Sequence, residues 1–235
     1  MSTGALAGFF ERCAFVSVDY QEEGTAEEMT AERLPRLWRG MGFTAEDVNA
    51  ANAYLRNAAL PNAVRVAAAC RRGGMPMIFI HWGCLFEDGM DVDPEIRRMQ
   101  TEEHGAGDLS WVPHISRPDS RPAAILRVQP KEYVIPKTGQ DAFTSSSFPF
   151  VLENLGTRSL IFVGGHTGAC LGRTSVSARH RGYATLCVHD ATFDARESAR
   201  VPNLRAVGYD HVVSTVELLE ALETRSRTAG PVSVP

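Results

Sequence analysis

The stretch from Leu160 to Thr192, LIFVGGHTGACLGRTSVSARHRGYATLCVHDAT, decides the fold. With Ser159 before it, the run to Val163 is apolar and hardly alternates, which predicts a strand buried on both faces. It stops at Gly164-Gly165-His166-Thr167-Gly168, a segment suited to tight turning. A helix is expected from about Ala169 to His180, closed by Arg181-Gly182. Ala184 to Val188 then reads as another strand, ending at His189-Asp190. Strand, glycine-rich turn, helix and strand make a βαβ unit, whose parallel strands need a sheet covered by helices on both faces.

The rest of the chain fits that unit. Cys13 to Val18 reads as a buried first strand ending in Asp19. Thr44 to Arg72 contains a helical stretch with Ala63, Val64, Ala67 and Ala68 as apolar positions, Arg71 and Arg72 in its last turn, and Gly73-Gly74 as the stop. Met75 to His81 is the second strand. Trp82 to Pro122 is a long excursion with one short helix near Pro94 to Glu103, and an excursion of that length is usually functional. Glu132 to Pro136 is a third strand with Lys137 just after it, and Phe148 to Leu155 a helix. Val212-Val213 adds an edge strand, and Thr215 to Leu222 a last helix with Thr215 as N-cap ahead of Glu217. The fold class expected is α/β: a three-layer α/β/α, Rossmann-like arrangement with a mainly parallel central sheet. Residues 1–235 are expected to form one domain, with 224–235 a flexible tail.

Composition narrows the function. The 235 residues carry 24 Lys plus Arg against 28 Asp plus Glu, a formal net charge of -4, which excludes binding nucleic acid through bulk positive charge. No apolar stretch approaches the ~20 residues that cross a bilayer, so neither a membrane span nor a signal peptide is expected. The cysteines, Cys13, Cys70, Cys84, Cys170 and Cys187, are odd in number and scattered, without zinc spacing, which suits a reducing cytoplasm.

Parallel α/β sheets place their sites at the C-terminal ends of the strands. Asp19, Lys137 and Cys170 all fall there. A cysteine opening a helix has its thiolate favoured by the free N–H groups of the first turn. The glycines around it let the backbone aim amides at one spot, where an oxyanion can be held. A carboxylate takes the thiol proton, and a lysine holds both anions. Each residue alone also has an ordinary reading: a buried small hydrophobe, a helix cap, a solvated charge. Their convergence on one sheet edge is what points to a site.

Three runs, AFVSVDYQ (Ala14 to Gln21), VIPKTGQDAF (Val134 to Phe143) and Leu160 to Thr192, resemble in order and spacing the isochorismatase-like cysteine hydrolases. The likeness spans residues 13–195, through a Lys-x-x-x-Asp/Ser-Ala-Phe pattern and a Gly-x-x-Thr-x-x-Cys pattern. It implies a triad of Asp19, Lys137 and Cys170 in which Cys170 attacks an amide carbonyl to form a thioester that water cleaves, releasing ammonia or an amine. It also implies a non-proline cis peptide at Gly165 and His166, with the amides of His166 and Cys170 as oxyanion hole. Small aliphatic residues are usual where Gly165 and His166 stand, so His166 is a candidate for the pocket rim. Leu171 and Gly172 are milder departures.

Cys170 favours the amidase branch, because isochorismatases proper lack this cysteine. Nicotinamidases carry an Asp-x-His and a second His as metal ligands, whereas the first histidine after Asp19 here is His81. The spacing of His104, Asp108 and His114 matches no helical face, so no metal and no cofactor are expected. The alternatives are a nicotinamidase-type or isochorismatase-type hydrolase, and, in another class, a non-catalytic binding or regulatory module of the same fold. A dinucleotide fold is mimicked by Gly164, Gly165, Gly168 and Asp190, but G-G-x-x-G lacks the G-x-G core of that fingerprint. Trp82, Trp111, Phe143 and His166 are the candidate substrate-binding residues. Phe148 is a further candidate to line the pocket, with an ordinary core position as its alternative reading, and Arg97, Arg98, Arg117 and Arg121 either meet a substrate carboxylate or are solvated surface charges. The expected partners are a small amide or ureido substrate and copies of the chain itself, as a dimer or tetramer, with no nucleic acid and no membrane.

Overall fold

The computed structural model describes residue 6 and residues 8–21, 28–105 and 112–228. Trp111, Asp108 and residues 229–235 of the expected tail lie outside the described residues. Strands β1 (Cys13–Val18), β2 (Met77–Trp82), β3 (Tyr133–Lys137), β4 (Ser159–Gly164), β5 (Ala184–Thr192) and β6 (His211–Val213) form a six-stranded sheet. The order is β3-β2-β1-β4-β5-β6 and every pairing is parallel. The chain runs outward from β1 to β3, returns to β4 on the other side of β1, and runs outward again. The strand order therefore reverses between β1 and β4, where parallel sheets open a crevice for ligands.

β1 and β4 are buried along their whole length, as expected of central parallel strands. Alternate residues feed two cores. Phe15, Phe79, Ile161 and Leu186 pack on one face with the helix at Leu60–Arg72 and the one at Thr215–Thr228. Val16, Ile78, Phe162 and Leu171 pack on the other with the helices at Phe148–Asn154 and Cys170–His180. In chain order the helices are α1 (Arg36–Gly40), α2 (Ala45–Tyr54), α3 (Leu60–Arg72), α4 (Pro94–His104), α5 (Ala142–Ser145), α6 (Phe148–Asn154), α7 (Cys170–His180), α8 (Glu197–Val207) and α9 (Thr215–Thr228).

The expected Thr44 to Arg72 stretch is α2 and α3 joined by a π-turn at Leu55–Ala59. Thr44 and Asp47 form a reciprocal capping box at its start, and Gly73 closes it. β3 carries Pro136, which has no N–H to give a ladder, and β3 accordingly sits at the sheet edge.

Several details differ from the sequence reading or go beyond it. β5 continues past His189-Asp190 to Thr192, because its register against β4 shifts after Phe162↔Cys187 to Gly164↔Thr192. α5 is a single turn that Asp141 caps by accepting from Phe143 N at 2.9 Å. α8 contains Pro202, a residue that argues against a helix when only local sequence is considered. The cap ahead of Glu217 is Ser214 rather than Thr215. Ser214 Oγ accepts from Glu217 N at 3.2 Å, and the Glu217 carboxylate accepts from Ser214 N at 2.7 Å. Thr215 instead donates both N–H and O–H to Asp190 Oδ1, at 2.8 Å each. Residues 224–228 of the expected tail continue α9. Among the described residues no helix is long and apolar enough to cross a membrane.

Candidate active site

Asp19 follows the last residue of β1 and adopts φ 54°, a left-handed conformation that Asp tolerates better than most residues. Its N–H stays tied to Ile80 O at 2.9 Å while the side chain turns out of the sheet. Lys137 ends β3 directly beside Trp82 of β2 and is fully buried. Cys170 opens α7 just beyond β4.

The three side chains meet. Lys137 Nζ lies 2.9 Å from Asp19 Oδ2 and donates to Cys170 Sγ at 3.2 Å. Two contacts on one nitrogen keep the carboxylate and the sulfur no further apart than about 6 Å, within direct or single-water reach. The ammonium also lies 4.8 Å from the centroid of the Trp82 ring, a cation–π contact. Asp19 Oδ1 is buried and has no hydrogen-bond partner among the described residues, which leaves one oxygen free to accept a proton.

Electrostatics refine the expectation for the thiol. Burial pushes the Cys170 pKa up to about 12, with Lys137 pulling it down and Asp19 pushing it up. The resting form is thus the thiol, and the helix N-terminus does not by itself make it a thiolate. Burial opposes the charge on Lys137, but the adjoining Asp19 and Cys170 outweigh it and its pKa is raised. A buried ammonium between a carboxylate and a sulfur stays protonated.

The turn between β4 and α7 carries a cis peptide at Gly165–His166. Gly164 has φ 109°, and a Cβ there would lie 2.0 Å from Val18 O, so only glycine lets β4 leave the sheet this close to β1. Gly172 is likewise required, because a Cβ would meet Thr167 O at 2.2 Å. The amides of the turn are unequally used. Thr167 N donates to Phe193 O at 3.1 Å, Gly168 N to Asp194 Oδ2 at 2.8 Å, and Ala169 N to His166 O at 3.0 Å. The N–H groups of His166 and Cys170 make no hydrogen bond among the described residues. Two unspent amides flanking three spent ones are suited to holding a developing negative oxygen. The half-buried His166 ring packs edge-on to Phe193 at 5.0 Å, and Phe193 meets Tyr20 at 5.1 Å.

The other candidates divide. Trp82 borders the site through Lys137, and Gln21 brackets its backbone by accepting from Trp82 N at 2.8 Å and donating to Trp82 O at 3.0 Å. Phe143 is buried, with Phe148 at 4.9 Å, Tyr183 at 5.9 Å and the Arg181 guanidinium over its ring. Its place in the one-turn α5, packed against α7, turns it inward. The excursion after β2 has a small core of its own, Cys84, Val92 and Val112, against which Trp82 and Ile96 pack. Arg98 and Arg117 pair there with Glu95 and Glu102, and with Asp119, so these arginines are committed to neighbours. Arg97 donates to Asp88 O at 2.7 Å.

No group of three or more His, Cys, Asp or Glu suited to a metal occurs among the described residues. His114 sets its two ring nitrogens against Ser116 Oγ at 2.8 Å and Leu85 O at 3.0 Å. His81 donates from Nδ1 to Ser120 O at 2.6 Å, and burial lowers its pKa. Gln21, Phe193 and Asp194 were not singled out from sequence. Gln21 stood beside the quoted Asp19, but no local spacing marks a residue that acts on a backbone 61 positions away.

A six-stranded parallel sheet covered by helices, with a carboxylate, an ammonium and a thiol gathered at the C-terminal ends of its strands, defines the class of three-layer α/β/α proteins. Within that class the chain belongs to the isochorismatase family, whose domain model matches residues 13–216. The chain is 29% identical over 154 residues to a ureidoacrylate amidohydrolase, RutB, of Pseudomonas savastanoi pv. phaseolicola, covering 57% of each protein. A RutB of Variovorax paradoxus is 28% identical over 148 residues. The chain spans a little over half the length of these curated relatives. Among solved structures it is similar in fold to an isochorismatase family protein of Burkholderia thailandensis, with TM-score 0.64, 22% identity, and 90% and 96% of the two chains covered. It is also similar to N-carbamoylsarcosine amidase of Thermoplasma acidophilum, with TM-score 0.60, 20% identity, and 86% and 96% covered.

Proposed function

We propose that the protein is a cysteine-dependent amidohydrolase that cleaves a C–N amide or ureido bond of a small molecule. The observation that carries this reading is the single ammonium of Lys137, shared by the Asp19 carboxylate and the Cys170 sulfur. Cys170 Sγ attacks the carbonyl carbon as Asp19 Oδ1 takes the thiol proton. The His166 and Cys170 amides stabilise the resulting oxyanion. Asp19 returns the proton to the leaving nitrogen, and the C–N bond breaks to leave a thioester. Water, deprotonated by Asp19, then attacks the thioester and the thiol is restored. The net change is addition of one water and release of ammonia or an amine.

A thiol of raised pKa needs such a base, which is why the unpartnered carboxylate oxygen supports the scheme. The names of the RutB relatives and of the N-carbamoylsarcosine amidase support a ureido or carbamoyl group as substrate class. Trp82 and His166 are the proposed substrate contacts. The proposal includes a homo-oligomer, dimer or tetramer, working in the cytoplasm. The five free cysteines and the exposed Leu85, Phe86 and Met90 of the excursion support that part.

The test is ammonia release from a panel of small amides, ureido acids and carbamoyl compounds. Cys170→Ser abolishes turnover while the melting temperature stays close to wild type. Iodoacetamide labels Cys170 before the four buried cysteines. A fully active Cys170→Ser protein refutes the mechanism.

A further inference from the structure

The turn that presents Cys170 is held from outside by a carboxylate that plays no part in the chemistry above. The structure assigns Asp194 as a positioning residue that pins the Gly164 to Cys170 turn so that the His166 and Cys170 amides alone remain open to a substrate oxygen. This inference rests on the amidohydrolase reading.

Asp194 is buried, and both of its oxygens are engaged. Oδ2 accepts from Gly168 N at 2.8 Å, from Asn203 Nδ2 of α8 at 3.2 Å, and from Thr167 Oγ1 in a short contact. Oδ1 accepts from Ala195 N at 2.8 Å. The preceding residue extends the same strap, with Phe193 N donating to Gly164 O at 3.0 Å and Phe193 O accepting from Thr167 N. The segment leaving β5 thus runs along the turn leaving β4, and Asp194 is its last fastening before the nucleophile. Without it, Gly168 N–H and Thr167 O–H become competing donors close to the two amides that await the oxyanion. A displacement of the turn by a fraction of an ångström moves Cys170 N as well, because Cys170 lies two residues beyond Gly168.

Asp194→Asn tests this without opening a cavity. A carboxamide has one acceptor oxygen, so in either orientation its NH2 faces a donor: Ala195 N–H, or the group of Thr167, Gly168 and Asn203. The expected result is a fall in kcat of about 10- to 100-fold with KM and the rate of Cys170 alkylation within about threefold of wild type. Thr167→Val should follow Asp194→Asn, and Thr167→Ser, which keeps the hydroxyl, should follow wild type. Equal kcat in Asp194→Asn and wild type overturns the assignment. So does a parallel fall of kcat, alkylation rate and folded fraction, which would mark Asp194 as a general stabiliser. If wild type turns over nothing on the amide panel, the amidohydrolase reading fails, and the positioning role is then decided by hydrogen exchange. Faster exchange at residues 164–171 in Asp194→Asn, with β1 and β2 unchanged, upholds it, and unchanged exchange in that segment overturns it.

Discussion

Replacing Lys137 by Met removes the charge at the centre of the site and little else. The side chain is fully buried and the Asp19 side chain is 10% exposed, so the pair lies where water screens little. Methionine fills nearly the same volume and keeps an apolar contact with the Trp82 ring, so no cavity opens. What remains is an Asp19 carboxylate that has lost the partner of Oδ2 and has none for Oδ1. Breaking a buried ion pair from one side costs about 3–5 kcal/mol, and for a chain of this length that lowers Tm by about 6 to 20 °C. Adding Asp19→Asn removes the stranded charge, so the double variant should regain most of the lost stability. Activity behaves differently: either single change costs at least ~100-fold in turnover, and the double variant loses far less than the product of the two because both act in one step. Thermal unfolding and ammonia release on the four proteins measure both quantities. A Lys137→Met protein within 2 °C of wild type by the ~2–4 °C per kcal/mol conversion, or a double variant less stable than the single, refutes the view that Lys137 serves mainly to hold a buried carboxylate.

Alkylation of Cys170 by iodoacetamide should rise steadily with pH from 7 to 9, because its pKa is pushed up to about 12 by burial; a plateau centred near neutrality contradicts that account. The Cys13 and Cys187 thiols are also raised to about 12 by burial, so the unfolded chain, with thiols near ~8.5, loses those protons first. It binds fewer protons than the native state above that point, and the contribution of these groups to stability is present below pH ~8.5 and declines as pH rises toward the native values, measurable as a falling Tm. Dialysis against a chelator should leave ammonia release unchanged, and stoichiometric zinc or iron lost together with activity would move the protein toward metal-dependent chemistry. Trp82→Ala should reorder the relative rates among amides while Cys170 stays reactive toward iodoacetamide; an unchanged ranking would place specificity elsewhere, with His166 the next residue to replace.

The strands at Cys13–Val18 and Ser159–Gly164, the glycine-rich turn and the start of α7 were legible in sequence because each rests on a local cause: an unbroken apolar run, glycine where the backbone turns sharply, helix periodicity. Their parallel βαβ arrangement puts Asp19, Lys137 and Cys170 on one edge of the sheet, so the convergence of these three side chains could be expected without coordinates. What those residues do to one another could not. The Cys170 pKa depends on burial and on two charges 151 and 33 positions away in the chain, and its rise reverses the expectation drawn from the helix terminus alone. Phe143 reads as a candidate pocket aromatic in sequence, and the burial it gains from the packing of α5 against α7 is set by a contact that no local pattern states. α8 forms despite Pro202 because its buried Leu204 and Val207 join the core beneath α7. Asp194 follows the same logic: its meaning lies in a turn 26 residues earlier, brought alongside by the shifted register of β4 and β5. Sequence carries the periodic and conformational preferences of each segment, whereas burial, charge pairing and the sharing of backbone amides exist only between segments and arise when the sheet assembles.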